Sequence, residues 1–196
     1  MNGQLRIVVA DDEIDMREYF QKLLPRLGHQ VVGTAQDGRE LIDLCRARQA
    51  DLVITDIKMP DMDGIDASIQ ANRTHQVPVV LLSAHHDAEL LTRAAADHIM
   101  GYLVKPVKQA DLETAIALAL RRFGQFQELR REAAELRQAL EDRKVIERAK
   151  GILMKRASLD EAGAFRRLQK LASDKNLKLA EVARMIVTAE EAFQDP

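Results

Sequence analysis

Five short runs of Val, Ile and Leu recur with helix-length spacers, and this alternation constrains the chain more than any other feature. The runs are LRIVVA (5–10), HQVVGTA (29–35), DLVITD (51–56), PVVLLS (78–83) and GYLV (101–104). Between them, residues 14–27, 38–48, 64–72 and 87–97 carry apolar residues at helical spacing. Near-continuous aliphatic strands belong to a sheet covered on both faces. In β/α order that means a parallel, doubly wound sheet of five strands. Ligands of such sheets bind beyond the carboxyl ends of the strands, where the strand order reverses.

The residues at those ends share a chemistry. The first run stops at Asp11 and Asp12, the third at Asp56, the fourth at Ser83, and the fifth just before Lys105. Adjacent carboxylates repel, so a bound cation is expected between them. Oxygen donors with no His or Cys among them suit Mg²⁺. A carboxylate beside Mg²⁺ is a candidate phosphoryl acceptor, and Asp56 fits that nucleophilic role. Asp11 and Asp12 would then hold the metal, Lys105 would neutralise the phosphoryl oxygens and Ser83 would hydrogen-bond one of them. The neighbouring His85 and His86 read as an exposed helix start rather than metal ligands, and Cys45 as a core residue.

The motifs ADDE (10–13), DIKMPDMDG (56–64), LLSAHH (81–86) and YLVKP (102–106) together resemble the receiver domain of two-component response regulators. The resemblance implies a flavodoxin-like fold over residues 1–122 and phosphotransfer to Asp56 from a phosphohistidine of a sensor kinase. It implies Mg²⁺ held by Asp12, Asp56 and the Lys58 carbonyl, with Asp11 assisting. It also implies a switch in which Ser83 moves inward and Tyr102 changes rotamer, a bias on two pre-existing states. A cis Lys105–Pro106 bond is expected in the tight turn, and Gly64 is expected to give the loop after Asp56 its freedom.

Beyond Pro106 the pattern is helical throughout. Gly124 interrupts it once, and Leu129, Ala133, Leu136 and Leu140 recur as a short coiled-coil seam, so residues 123–142 read as a linker helix suited to pairing two chains. Three amphipathic pieces follow. Val145, Ile146, Ala149, Ile152 and Leu153 mark the first. Ser158 with Glu161 forms a capping box ahead of a second that carries Ala162, Phe165, Leu168 and Ala172. Leu179, Val182, Ala183, Ile186 and Val187 mark the third. Each is too short to stand alone in water, which predicts a small all-α bundle with Phe165 in its core. Gly151, mid-helix, costs about 1 kcal/mol relative to Ala, so a close backbone approach is expected there.

Charge separates the two regions. From Arg143 to Arg184 there are 12 Lys and Arg against 5 Asp and Glu, leaving 17 basic and 26 acidic residues elsewhere in the 196-residue chain. Such a basic stretch is a candidate nucleic-acid surface. ERAKGILM (147–154), AFRRLQKLA (164–172) and LAEVARMIV (179–187) resemble the ANTAR domain, a helical RNA-binding output of antitermination regulators. That resemblance covers residues 143–190 here and implies binding of paired stem-loops in nascent transcripts. The candidate contacts are Arg148, Lys150, Lys155, Arg156, Arg166, Arg167, Lys170 and Lys175.

Two other functions are weighed against this one. A DNA-binding or purely dimerising tail would keep the receiver and change the output. A Mg²⁺-dependent phosphohydrolase would use strand-end aspartates too, but with a second Asp two residues after the nucleophile on the first strand; here the acids are adjacent and residue 13 is Glu. The reading is therefore a regulator that accepts phosphate stoichiometrically. A single cysteine, no apolar run near ~18 residues and no basic-apolar leader lead us to expect a cytoplasmic protein without a membrane partner.

Overall fold

The computed structural model describes residues 3–84 and 98–192. The expected helix at 87–97 and the reading of His85 and His86 lie outside the described residues. Five parallel strands, β1 (Arg6–Ala10), β2 (Gln30–Ala35), β3 (Leu52–Asp56), β4 (Val79–Ser83) and β5 (Ile99–Val104), form one sheet in the order β2-β1-β3-β4-β5. The strand order reverses at β1, so the crevice at its carboxyl end is the expected ligand site.

Strand periodicity sorts the core into two layers. Ile7, Val9, Leu52, Ile54, Val80 and Leu82 face helix α1 (Ile14–Arg26) and the start of α4 (Gln109–Ala157), packing on Phe20, Leu24, Leu112 and Ile116. Val8, Ala10, Val53, Val79 and Leu81 face the other way, onto Leu41 and Cys45 of α2 (Gly38–Arg48) and Ile65 of α3 (Gly64–Asn72). Alternate residues of every inner strand thus bury on opposite faces, as a doubly wound sheet requires. Cys45 is buried, and burial pushes its thiol up to about 11, so it stays protonated and inert.

The chain divides into two units, Met1–Glu128 and Leu129–Pro196. Helix α4 runs unbroken for 49 residues, through Gly124. A single glycine costs only about 1 kcal/mol, whereas breaking the helix there would forfeit backbone bonds and require a second nucleation. In the second unit, the end of α4 packs with α5 (Glu161–Lys175) and α6 (Leu179–Ala192) around Ala149, Leu168, Val182, Ala183 and Val187.

Three expectations for this unit are corrected. Ser158 does not cap α5: it adopts φ 50° and closes α4, leaving Asp160 as the extended residue whose carboxylate accepts the Gly163 N–H at 2.7 Å. Phe165 is not core; it is 37% exposed, because the buried stripe of α5 runs through Ala164, Leu168, Leu171 and Ala172. Gly151 has no close neighbour, since a Cβ there would meet open space.

Candidate functional site: a carboxylate cluster at the strand ends

Register brings the expected residues together. Ala10 pairs with Thr55, Asp56 with Leu82, and Ser83 with Val104, so four adjacent strands end at one level. The loop after β1 is held from behind by Arg17, whose guanidinium donates to the carbonyls of Asp11 (2.6 Å) and Asp12 (2.9 Å). Asp11 is fully buried and its Oδ1 accepts the Glu13 N–H at 3.0 Å, while Asp12 stands exposed at the rim. Asp56 is buried at the end of β3, its Oδ1 accepting the Ile57 N–H at 2.8 Å.

Lys105 closes the cluster. Its backbone N–H donates to the Ser83 carbonyl at 2.8 Å, and its Nζ lies 2.9 Å from Asp11 Oδ2 and 3.3 Å from both Asp56 Oδ2 and Glu13 Oε1. The Lys105–Pro106 bond is cis, and Tyr19 on α1 donates its hydroxyl proton to the Val107 carbonyl at 2.9 Å, tying down the loop beyond it. Ser83 is buried at the end of β4. Gly64 has a different role from the one expected. Its φ is unexceptional, but any Cβ there would collide with the Asp56 carbonyl and sit 2.7 Å from Thr55 Oγ1, so the position requires space rather than freedom.

Electrostatics follow from this packing. Burial, together with the charge of Asp11, raises the pKa of Asp56 against the opposing pull of Lys105. Burial alone would lower the Lys105 pKa, but its close contacts with the Asp11 and Asp56 carboxylates outweigh it and raise the value. The ammonium is therefore held on, and one cation faces two buried carboxylates.

The donor set fits a hard divalent ion. Asp11, Asp12 and Asp56 each offer an oxygen, all within 4.8 Å of one another. The buried Asp11 Oδ2 has the ionic contact with Lys105 but no aligned hydrogen bond, leaving lone-pair capacity for a cation. Lys58 is exposed on the loop two residues beyond Asp56, and Tyr102 sits half-buried on β5 beside a depression lined also by Thr114, Leu118 and Arg122 of α4. Sequence reasoning missed Glu13, Arg17 and Tyr19; only the one-turn spacing from Glu13 to Arg17 hinted that this helix start faces the cluster.

Comparison with known proteins settles the family. Residues 7–117 match the response regulator receiver domain, and residues 134–187 match the ANTAR domain. The transcriptional regulatory protein PdtaR of Mycobacterium tuberculosis is 38% identical over 182 residues, covering 93% of this chain and 89% of PdtaR. The chain belongs to the response regulator family. Among other relatives, the transcriptional regulatory protein HptR of Staphylococcus aureus is 33% identical over 123 residues, 59% of this chain and 46% of HptR. A response regulator receiver domain protein from Clostridium thermocellum is similar in structure, with TM-score 0.54 and 32% identity over 60% of this chain and 95% of that one. The chemotaxis protein CheY4 of Vibrio cholerae gives TM-score 0.55 at 29% identity, covering 60% of this chain and all of CheY4 (100%).

In the ANTAR domain of this response regulator, several of the expected RNA contacts have internal partners. Lys150 is buried, with its ammonium 2.9 Å from Glu147 and 2.7 Å from Glu161. Those contacts raise its pKa, and it holds the start of α5 to α4 instead of facing solvent. Arg156 pairs with Glu190 at 3.1 Å, Arg148 with Glu191 at 2.8 Å, Lys144 with Glu141 at 2.7 Å, and Arg184 with Asp142. Of the six acids that make these surface pairs or hold Lys150, Glu141, Asp142, Glu190 and Glu191 fall outside the 143–184 window, and Glu147 and Glu161 lie within it. Lys155, Arg166, Arg167, Lys170 and Lys175 form no ion pair among the described residues and remain exposed.

Proposed function

We propose that this response regulator accepts a phosphoryl group on Asp56 from a sensor histidine kinase, and that phosphorylation controls RNA stem-loop binding by its ANTAR domain and thereby transcription antitermination. The observation that carries the proposal is the convergence of Asp11, Asp12, Asp56 and Lys105 on one strand edge, in a chain that also carries the ANTAR segment. A carboxylate oxygen of Asp56 attacks phosphorus, the phosphorus–nitrogen bond to the kinase imidazole breaks, and the imidazole leaves with its bonding pair. Lys105 faces the incoming oxygens from the Asp56 Oδ2 side. Asp11, Asp12, Asp56 and the Lys58 carbonyl would hold Mg²⁺, which when bound supplies charge neutralisation for the phosphoryl oxygens. Ser83 and Tyr102 report the modification to the surface around β5.

The protein acts as a stoichiometric acceptor in the cytoplasm. Two copies pair along Leu129, Ala133, Leu136 and Leu140, whose three leucines are 53–73% exposed in the single chain. Pairing links two weak hairpin contacts into one event of high effective concentration. The test is to treat the full chain with a small-molecule phosphodonor and measure binding to tandem-hairpin RNA and to duplex DNA. A phosphorylation-dependent preference for hairpin RNA supports the proposal; equal binding to duplex DNA, or catalytic turnover of the donor far beyond one equivalent, overturns it.

A further inference from the structure

We propose that Glu13 is the displaceable counter-ion of Lys105: its carboxylate occupies the ammonium while Asp56 is unmodified and yields it to the phosphoryl group, so that Glu13 sets how fast the site fills and how long it stays filled. The proposal rests on the phosphoacceptor reading above and adds to it a residue that tunes the reaction.

The contacts of the ammonium identify the role. An ammonium has three N–H donors, and that of Lys105 faces three carboxylate oxygens: Asp11 Oδ2 at 2.9 Å, and Asp56 Oδ2 and Glu13 Oε1 at 3.3 Å each. A phosphoryl oxygen approaching the ammonium therefore needs one of the three to withdraw. Asp11 and Asp56 are buried, and each is pinned through its other oxygen, which accepts the N–H of Glu13 at 3.0 Å or of Ile57 at 2.8 Å. The Glu13 side chain is 64% exposed, and its carboxylate has Lys105 as its one ionic or hydrogen-bonding partner among the described residues. Water replaces such an exposed contact at little cost, so Glu13 is the partner that leaves.

The start of α1 supports this independently. Glu13 is the N-cap of that helix, a position where Ser, Thr, Asp and Asn best satisfy the free N–H groups. Its side chain makes no capping bond and reaches Lys105 instead. The backbone is fixed on both sides: its N–H donates to Asp11 Oδ1, and its carbonyl accepts the Arg17 N–H at 3.2 Å. Release thus needs a side-chain rotation and no change in the helix. Once Asp56 carries a phosphoryl group, repulsion between its oxygens and the Glu13 carboxylate drives the same departure.

The experiment follows phosphoryl uptake from acetyl phosphate with Mg²⁺ by intact mass, using the full chain as wild type, Glu13→Gln and Glu13→Ser. In the step read out, an Asp56 oxygen attacks phosphorus, the phosphorus–oxygen bond to the acetyl group breaks, and acetate leaves with the bonding pair. Removing a competitor as strong as a typical exposed ion pair predicts uptake about 1.5- to 5-fold faster. After the donor is removed, the variants should also lose the phosphoryl group more slowly than wild type. The gain should shrink at about 1 M salt, where exposed charges are screened. In a Lys105→Met background no ammonium is left to release, so the same substitutions should change the residual rate by a smaller factor. Ser caps well, so Glu13→Ser should melt no lower than wild type. Unchanged or slower uptake by both Glu13 variants, an equal gain in the Lys105→Met background, or a marked loss of melting temperature in Glu13→Ser would overturn the assignment. If wild type gains no phosphoryl group, the phosphoacceptor reading itself fails.

Discussion

At the scale of single residues, the account depends on groups that touch the strand-end cluster or the hinge between α4 and α5. Gly64 has no room for a side chain beside the Asp56 carbonyl. Gly64→Ala should therefore destabilise the receiver by about 1–3 kcal/mol, as overpacking does, measured by denaturant unfolding; an unchanged midpoint would contradict the packing argument. Glu161 gives a pH-dependent test. Its pKa is lowered from 4.5 by the hydrogen bond and then the charge of Lys150. The folded state thus holds the carboxylate more strongly than the unfolded state does. That contribution is fully present above pH 4.5 and is lost as pH falls through the lowered folded value. Thermal melts taken into acid should fall more steeply for wild type than for Glu161→Gln, and parallel curves would show that the pair contributes nothing. Asp11, Asp12, Asp56, Ser83 and Lys105 were legible in the sequence because each ends an aliphatic strand. Arg17 was not, because it acts on backbone carbonyls through a helix turn and leaves no paired residue type to find.

At the scale of elements, the strands were legible because burial on both faces imposes long aliphatic runs, whereas the start of α5 was not. Ser158 and Asp160 are both good caps, and the choice depended on which residue could take the left-handed conformation that ends α4. Asp160→Ala should cost about 1 kcal/mol and Ser158→Ala should not remove a cap, a contrast readable by urea denaturation. The exposed seam on α4 predicts its own pairing geometry. With Leu129 and Leu136 at d and Ala133 and Leu140 at a, parallel pairing sets Glu132 of one copy beside Arg137 of the other. Antiparallel pairing would bring the basic e positions Arg130, Arg137 and Lys144 of both copies together. The phosphorylated protein should sediment as a dimer, and Leu136→Asp should return it to monomer; a monomer in both cases would remove the seam from the mechanism.

At the scale of the whole molecule, the sequence displays two regions of opposite charge, and the fold discounts one of them. Twelve basic residues between Arg143 and Arg184 suggest a broad polyanion surface, but Lys144, Arg148, Lys150, Arg156 and Arg184 are met by carboxylates. Composition could not reveal this, because most of the neutralising acids, Glu141, Asp142, Glu190 and Glu191, lie outside that stretch of sequence. RNA affinity should accordingly fall with salt at a slope of about −3.5 per chain, as contacts by the unpaired Lys155, Arg166, Arg167, Lys170 and Lys175 imply, well short of the value for all twelve. The proposal that one chain couples a phosphoacceptor to that surface is tested most directly by intact mass and peptide mapping after incubation with a small phosphodonor. Wild type with Mg²⁺ should gain one phosphoryl group on Asp56, and both Asp56→Asn and Mg²⁺ chelation should abolish the gain. Undiminished labelling of Asp56→Asn, or of wild type without divalent ions, would contradict the account.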